Sequence, residues 1–405
     1  MKLIFVNRYF HPDLSATSQM LSDLAFHLAA RGREVHVVTS RQRYDDAAAR
    51  LAAIETRDGV RIHRVWTSRF GRGWLPGRAL DYFSFYVAAA IRIARLAGNG
   101  DLVIAMTDPP LVSFPSALAA RLRGARLVNW LQDVFPEIAA QLGMHAARGP
   151  LGALARWARG YSLRAAALNV VLGERMREVV ARLEPGCRGR LAVIHNWADG
   201  KALHPLPPGA RSLRAEWGFE GKFVVAYSGN MGRVHDFDTL LATCERLRAQ
   251  ADIRFLFIGD GYHRPRLEQE VRRRDLLNVT FQPYQARGRL AESMGAADAH
   301  LVSLLPALEG LVVPSKFYGI AAAGRPAIFV GDPEGEIARI LRDNHCGLVV
   351  AAGDGKGLAD AILALRDKPT LRAEMGANAR AAFEARYDRA HAMTLWESAL
   401  ERARL

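Results

Sequence analysis

Cysteine is scarce in this chain: three residues in 405 (Cys187, Cys244, Cys346), far apart and without CxxC spacing. That excludes a disulfide framework and the common zinc and redox motifs, and it predicts a reducing compartment. No run of about 18 uninterrupted apolar residues occurs, so a membrane-spanning helix is not expected. The opening MKLIFVNRYF holds an apolar run too short for a signal peptide and passes at once into polar sequence, which predicts a first strand and no export. Acidic residues are outnumbered, 41 against 55 Lys and Arg, for a formal net charge of +14. The excess predicts an anionic partner, whether nucleic acid, anionic lipid or phosphorylated substrate, although an Arg-rich composition also follows from GC-rich coding. What is present, 50% hydrophobic and 24% charged residues, describes a globular chain of two domains rather than a disordered one.

Short strands rich in Val, Ile and Leu alternate with helices along the first half: KLIFVNRYF, EVHVVTS, VRIHRVW, DLVIAMT, ARLVNWLQD, ALNVVLG and LAVIHNW. The pattern predicts a parallel sheet covered on both faces. The stretch ADGKALHPLPPGARS (Ala198–Ser212), with three Pro and two Gly, interrupts the series and predicts a domain boundary. The series then restarts with FVVAYSG, IRFLFIG, VTFQPY, AHLVSLL, PAIFVG and GLVV. The expected architecture is α/β: two Rossmann-like domains facing across a cleft, residues 1–200 and 205–385, with a terminal helix at 386–405 crossing back to the first. In such sheets ligands bind where loops leave the carboxyl ends of the strands.

Those loops hold the candidate site. In YSGNMGRVHDFDTLL, Gly229 and Gly232 let backbone N–H groups approach a ligand ahead of a helix start, an arrangement suited to phosphate. Gly259 and Gly261 in FIGDGYHRPRL form a second such turn, or simply a tight connection. The carboxylates of DFD, Asp236 and Asp238, offer a metal pair or a helix cap. In EGLVVPSKFYGIAAAGRP (Glu309–Pro326) Lys316, beside Ser315, stands at a helix start, where the dipole is already positive, so a shared anion is expected there. His36, His63 and His195 lie in strands and read as satisfied core residues, whereas His11 sits in the first loop.

Together the segments REVHVVTS, WLQDVFPE, VIHNWAD, YSGNMGRVHDFDTLL, IGDG and VPSKFYGIAAAGRP resemble glycosyltransferase family 4, retaining enzymes of the GT-B fold, over essentially the whole chain. The branch most resembled builds bacterial polysaccharide and lipopolysaccharide. The resemblance implies transfer of a hexosyl or N-acetylhexosaminyl unit from a nucleotide-sugar, UDP-linked or GDP-linked, to a lipid-linked saccharide or similar acceptor. It implies a second half that binds the donor, a first half that shapes the acceptor site, no cofactor and no metal. Catalysis then consists chiefly in neutralising the departing diphosphate.

The chain departs from the family pattern at telling places. Asn230 and His235 stand where an Arg and a Lys normally grip the diphosphate, which leaves Lys316 and Arg233 as the available cations. Gly319 stands where a Glu binds the ribose, so Glu336 is the substitute candidate, and Glu309 is the candidate for sugar hydroxyls. Gly310, Leu311 and Val312 are expected to offer backbone N–H groups to the donor, Tyr284 to lie beside the nucleobase or on the surface, and Asp133 to bind the sugar or acceptor hydroxyl. The first βα loop, Ser15 to Gln19, lacks paired Gly and is assigned to acceptor. The catalytic set is Lys316, Asp133 and Glu309.

Two Arg-rich stretches with interleaved aromatics, Ser68–Leu96 (Trp74, Phe83, Phe85, Tyr86) and Ala147–Ala167 (Trp157), read as membrane-surface segments or as ordinary packed helices. With a lipid-linked acceptor they predict a cytoplasmic protein peripheral to the inner membrane. Two other functions fit less well. A UDP-sugar 2-epimerase would need a compact set of acid and base groups that is not visible, and a nucleic-acid-binding protein would need a recognition motif.

Overall fold

The computed structural model describes residues 1–405 apart from 45, 47–48, 72–74 and 208–211. Trp74 and the middle of the predicted boundary stretch therefore lie outside the described residues. The chain divides into two compact units, Met1–His195 with Met393–Leu405, and Asn196–Ala392.

The first unit runs β1 (Lys2–Val6), α1 (Ala16–Ala30), β2 (Glu34–Ser40), β3 (Ile54–Arg57), β4 (Val60–Val65), α2 (Leu75–Leu96), β5 (Leu102–Ala105), α3 (Ser113–Leu122), β6 (Arg126–Trp130), α4 (Glu137–Gln141), α5 (Pro150–Ala165), β7 (Leu168–Val171), α6 (Glu174–Leu183) and β8 (Leu191–Val193). The sheet order is β3-β4-β2-β1-β5-β6-β7-β8, parallel throughout except for the β3–β4 pair. Strands buried on both faces read as continuous apolar runs, and four of the five residues of β1 are buried. Strand β3 was not among the expected strands. Its sequence, IETR, is polar because it forms the sheet's antiparallel edge. The Asp58-Gly59 pair turns it into β4 with φ of 47° and 80°. A DG pair between strand-like runs is the sequence signal for such a hairpin.

The second unit runs α7 (Ser212–Glu216), β9 (Phe223–Ser228), α8 (Asp238–Arg246), β10 (Ile253–Ile258), α9 (Arg264–Arg273), β11 (Val279–Gln282), α10 (Leu290–Gly295), β12 (Ala299–Ser303), α11 (Lys316–Ala322), β13 (Ala327–Gly331), α12 (Glu336–Asp343), β14 (Gly347–Ala351), α13 (Gly355–Asp367) and α14 (Pro369–Ala382). The last helix, α15 (Arg389–Arg404), returns the chain to the first unit. There Trp396 packs on Trp130 with ring centroids 4.6 Å apart. The second sheet is wholly parallel in the order β11-β10-β9-β12-β13-β14.

Both sheets follow one plan. Counting its strands from β9, the second reads 3-2-1-4-5-6. The first, without its edge hairpin strand, has the same order extended by one strand. In each, consecutive loops diverge where the order reverses, between β9 and β12 and between β1 and β5, leaving room for a ligand at the carboxyl ends.

The three cysteines are free and buried. Of the histidines expected in strands, His36 and His63 are: His36 Nδ1 lies 2.9 Å from His63 Nε2, while His63 Nδ1 is buried without a partner. His195 follows β8 instead, and its Nδ1 donates to the Leu172 carbonyl at 2.9 Å. The His11 ring packs edge-on against Phe26.

Candidate functional site

At the reversal point of the second sheet the chain leaves β9 through Gly229, which has φ 121°. The turn that follows is stitched to the turn after β10. Gly229 N–H donates to the Ile258 carbonyl (2.8 Å), Met231 N–H to Asp260 (2.7 Å), and His263 N–H to Met231 (2.9 Å). The contact needs bare backbone: a Cβ on Gly261 would lie 2.4 Å from Asn230 Oδ1 and 2.6 Å from Met231 N. Asn230, Gly232, Gly259 and Gly261 thus form one platform of two interlocked turns. Tyr284 stands exposed at its edge, its hydroxyl 3.4 Å from the Asp260 carbonyl.

Lys316 crosses this platform. A Cβ on Gly229 would come within 3.0 Å of Lys316 Cε, so the glycine is what lets the lysine stem pass. Its Nζ ends 2.9 Å from His235 Nε2 and 5.1 Å from the Tyr227 ring centroid. His235 Nδ1 lies 2.6 Å from the carbonyl of Ser303, at the end of β12. A carbonyl can only accept, so Nδ1 carries the proton and Nε2 presents a lone pair to the lysine. Burial first, and Lys316 second, lower the His235 pKa to about 3, so the imidazole is neutral at physiological pH. Burial lowers Lys316 to about 7. The cation therefore meets a neutral acceptor rather than a second charge, and α11, at seven residues, adds little dipole against it.

Where the resemblance leads one to expect a cation at position 235, the structure has the His235 imidazole, with the Lys316 ammonium 2.9 Å from it. Two hydroxyls that sequence reasoning did not single out, Ser228 and Ser303, end the same two strands and are buried without a hydrogen-bond partner. Their place as last residues of β9 and β12 was the available signal.

The remaining candidates divide. Arg233 is exposed and stacks on the Tyr262 ring, 3.9 Å from its centroid, so it stands at the rim of the turn. Ser315 precedes α11 but makes no side-chain cap. Glu309 and Glu336 come together: Glu309 Oε1 accepts the Glu336 N–H at 2.9 Å, at the start of α12, and burial pushes the Glu309 carboxyl up. The expectation that Gly310, Leu311 and Val312 offer backbone donors is corrected for Leu311. Leu311 N–H donates to the Leu308 carbonyl at 3.0 Å, because the tight turn at Gly310 (φ 74°) folds that donor inward. Val312 is bridged to Glu309.

The DFD carboxylates serve the helix. Asp236 accepts the N–H groups of Asp238 (3.0 Å) and Thr239 (3.2 Å), while Asp238 pairs with Arg266. Among the described residues no group of three or more His, Cys, Asp and Glu is placed to hold a metal.

In the first unit Asp133 follows β6, and burial together with the Asp108 charge raises its pKa to about 6. In the first loop Ser15 donates to Asp13 Oδ1 (2.5 Å) and Gln19 to the Leu14 carbonyl (2.6 Å), so these side chains brace the loop itself.

Comparison with known proteins agrees with this fold. The family of group 1 glycosyl transferases matches residues 222–368, and the glycosyl transferase 4-like domain matches residues 16–197. The chain is similar to the putative colanic acid biosynthesis glycosyl transferase WcaI of Escherichia coli K12, 26% identical over 84% of this chain and 86% of that one. Among solved structures, sucrose-phosphate synthase from Thermosynechococcus elongatus superposes with a TM-score of 0.79 at 18% identity, covering 99% of this chain and 98% of that one. Anabaena HepE, solved with UDP-glucose, gives 0.74 at 17% identity over 99% of each chain. With both halves matched in order and two reversed-order parallel sheets to carry them, the chain belongs to the group 1 glycosyltransferases with a family-4-like first domain, and it has the GT-B fold.

Proposed function

We propose that this glycosyltransferase moves a hexosyl or N-acetylhexosaminyl unit from a UDP-sugar to a lipid-linked saccharide in cell-surface polysaccharide synthesis, with retention and without metal. Polysaccharide synthesis is suggested by the similarity to WcaI, and UDP by the ligand of the HepE structure. The observation that carries the reading is the Lys316 ammonium held over Gly229 by a neutral imidazole, beside a glycine platform at the sheet's reversal point.

In the transfer the bond between the anomeric carbon and the phosphate oxygen breaks, a bond to the acceptor oxygen forms on the same face, and the acceptor's proton passes to the departing diphosphate. Negative charge grows on that diphosphate, and a positioned ammonium in a partly dehydrated turn stabilises it. The buried Ser228 and Ser303 hydroxyls are further donors at the same point. Glu309 and Glu336 are the carboxylates assigned to sugar and ribose hydroxyls, and Asp133 to the acceptor hydroxyl. The net positive charge supports, with the proposed lipid-linked acceptor, an enzyme that works at an anionic membrane surface as a peripheral protein.

Thermal melts in UDP, GDP and ADP test the donor. A ligand that binds only the folded chain stabilises it by about 2.7 kcal/mol at a hundred times its Kd. UDP is expected to raise the melting temperature most, and the rise is expected to vanish in Lys316→Ala. A larger rise with GDP reassigns the base, and no rise with any of the three overturns the reading.

A further inference from the structure

Three helices of the first unit lie side by side, with α3 packed against α2 on one flank and α5 on the other. The inner faces of α2 and α3 close on the sheet through Phe85, Ala89, Ile93, Ala117 and Ala120. A helix that covers a sheet ordinarily turns polar residues outward. Instead α2 is apolar on its outer face too: Leu80, Phe83, Val87 and Ile91 follow at intervals of three and four residues, and Phe83 is 64% exposed. The middle helix adds Leu118 and Leu122, the latter 77% exposed. From α5 come Leu151, Leu154 and Trp157. The two Arg-rich stretches, far apart in sequence, are thus joined by a helix that neither contains.

Charge on this face has one sign. Arg95 on α2, Arg121 at the end of α3 and Arg156 on α5 are exposed. The only acid of α2, Asp81, is 1% exposed and bonded to Ser68 Oγ and to the Phe70 and Gly71 N–H groups. Neither α3 nor α5 contains a carboxylate. The arginines of α9 in the second unit have acids on their own helix: Arg264 pairs with Glu268 and Arg273 with Glu270, at 2.8 and 2.7 Å.

Glu137 and Glu184 pair with Arg159 and Arg164 of α5, but Arg95, Arg121 and Arg156 face no acid among the described residues, and exposed apolar side chains among them match one occupant, a bilayer surface with anionic headgroups. The apolar groups enter the acyl boundary while the guanidinium groups meet phosphates. A second copy on the same face would set these arginines against each other, since a two-fold interface pairs a patch with itself. No described helix is long and apolar enough to cross the membrane. We infer that the outer face of α2, α3 and α5 docks on an anionic lipid surface without spanning it. The inference names the face for the peripheral attachment proposed above and rests on that reading.

Co-sedimentation of the full chain with phosphatidylcholine vesicles, with and without phosphatidylglycerol, tests it. Wild type is expected on the anionic vesicles only. Phe83→Asp with Trp157→Asp is expected to weaken binding roughly ten-fold or more, given the area two large side chains would otherwise bury. Arg95→Glu with Arg121→Glu is expected to weaken it mainly at low salt. Leu277→Asp, at an 83% exposed apolar site of the second unit, is the control expected to bind normally. Unchanged melting curves show that the variants fold. If wild type fails to bind anionic vesicles, the attachment itself is overturned. If it binds and both patch variants bind equally well, only this face is. Dimers in light scattering that the apolar variant abolishes, with no vesicle binding, would assign the face to a second copy and likewise overturn the inference.

Discussion

The two units reverse their strand order in the same way and furnish the reversal point differently. Between β9 and β12 stand a glycine at φ 121°, a lysine laid over it and a neutral histidine holding the ammonium. Between β1 and β5 no glycine occurs from Asn7 to Ser15. There Arg8 N–H donates to the Asp108 carbonyl at 2.6 Å, and the Arg8 guanidinium lies against Asp81 at 3.7 Å. Asp108 also raises the nearby Asp133 carboxyl. One topology has been given a bare backbone and a cation in one unit, and side-chain walls with carboxylates in the other. The first suits an anion that must lie close to the chain, the second neutral hydroxyls that need an acceptor.

The comparison breaks most visibly at Lys316. Lys316→Ala is expected to lower turnover roughly 100-fold, the loss of one transition-state donor, and Lys316→Arg to restore only part of it. Adding His235→Lys to Lys316→Ala returns a cation to the place the imidazole now serves. It is expected to recover activity to within roughly ten-fold of wild type, because the same charge is stabilised. Steady-state kinetics check both, and a double variant no better than Lys316→Ala would separate the two positions.

A smaller effect is expected at Gly229. Gly229→Ala strains a left-handed backbone and presses on Lys316 Cε, so UDP affinity should fall roughly ten-fold, about 1.4 kcal/mol of displaced contact, by isothermal titration.

Titration sharpens the contrast. Lys316 has its folded pKa lowered to about 7, so the fold penalises the charged form, and the penalty, full below 7, is relieved as pH rises toward the unfolded value. Diphosphate binding has the opposite preference, since it uses the ammonium. UDP affinity is therefore expected to be highest below about 7 and to fall above it by up to roughly ten-fold per pH unit, with proton uptake on binding.

The smallest effect is expected at Asp133. Its folded pKa is raised to about 6, so stability falls as pH rises from the ordinary carboxyl value through about 6 and stays lower above it. Asp133→Asn should raise the melting temperature slightly at neutral pH and not at acid pH, by calorimetry.

Much of the fold was legible in the sequence because parallel strands buried on both faces must be apolar throughout. EVHVVTS is β2 residue for residue. The edge strand β3 was missed for the converse reason, since an edge has no such demand. At the site, the glycine turns and Lys316 could be read because special backbone geometry and an oddly placed charge leave marks in composition. The partner of Lys316 could not, since His235 is 81 residues away and its lone pair is directed by a backbone carbonyl, which no residue type announces. Leu311 failed similarly: where a backbone N–H points is decided by the turn. The two Arg-rich stretches were visible, but α3 between them, whose one aromatic, Phe114, packs edge-on against Trp157, needed the packing order to be noticed.

The return of α15 to the first unit has a consequence for synthesis. The ribosome completes β8 near His195, but Trp396, which packs on Trp130, emerges only after the whole of Asn196–Ala392. At roughly 5–20 residues per second that interval is on the order of ten to forty seconds. For that time the first unit has seven of its parallel strands but not the indole that closes over β6. The second unit, which is continuous in sequence, can be finished first, so the half that began earlier is the one expected to mature last.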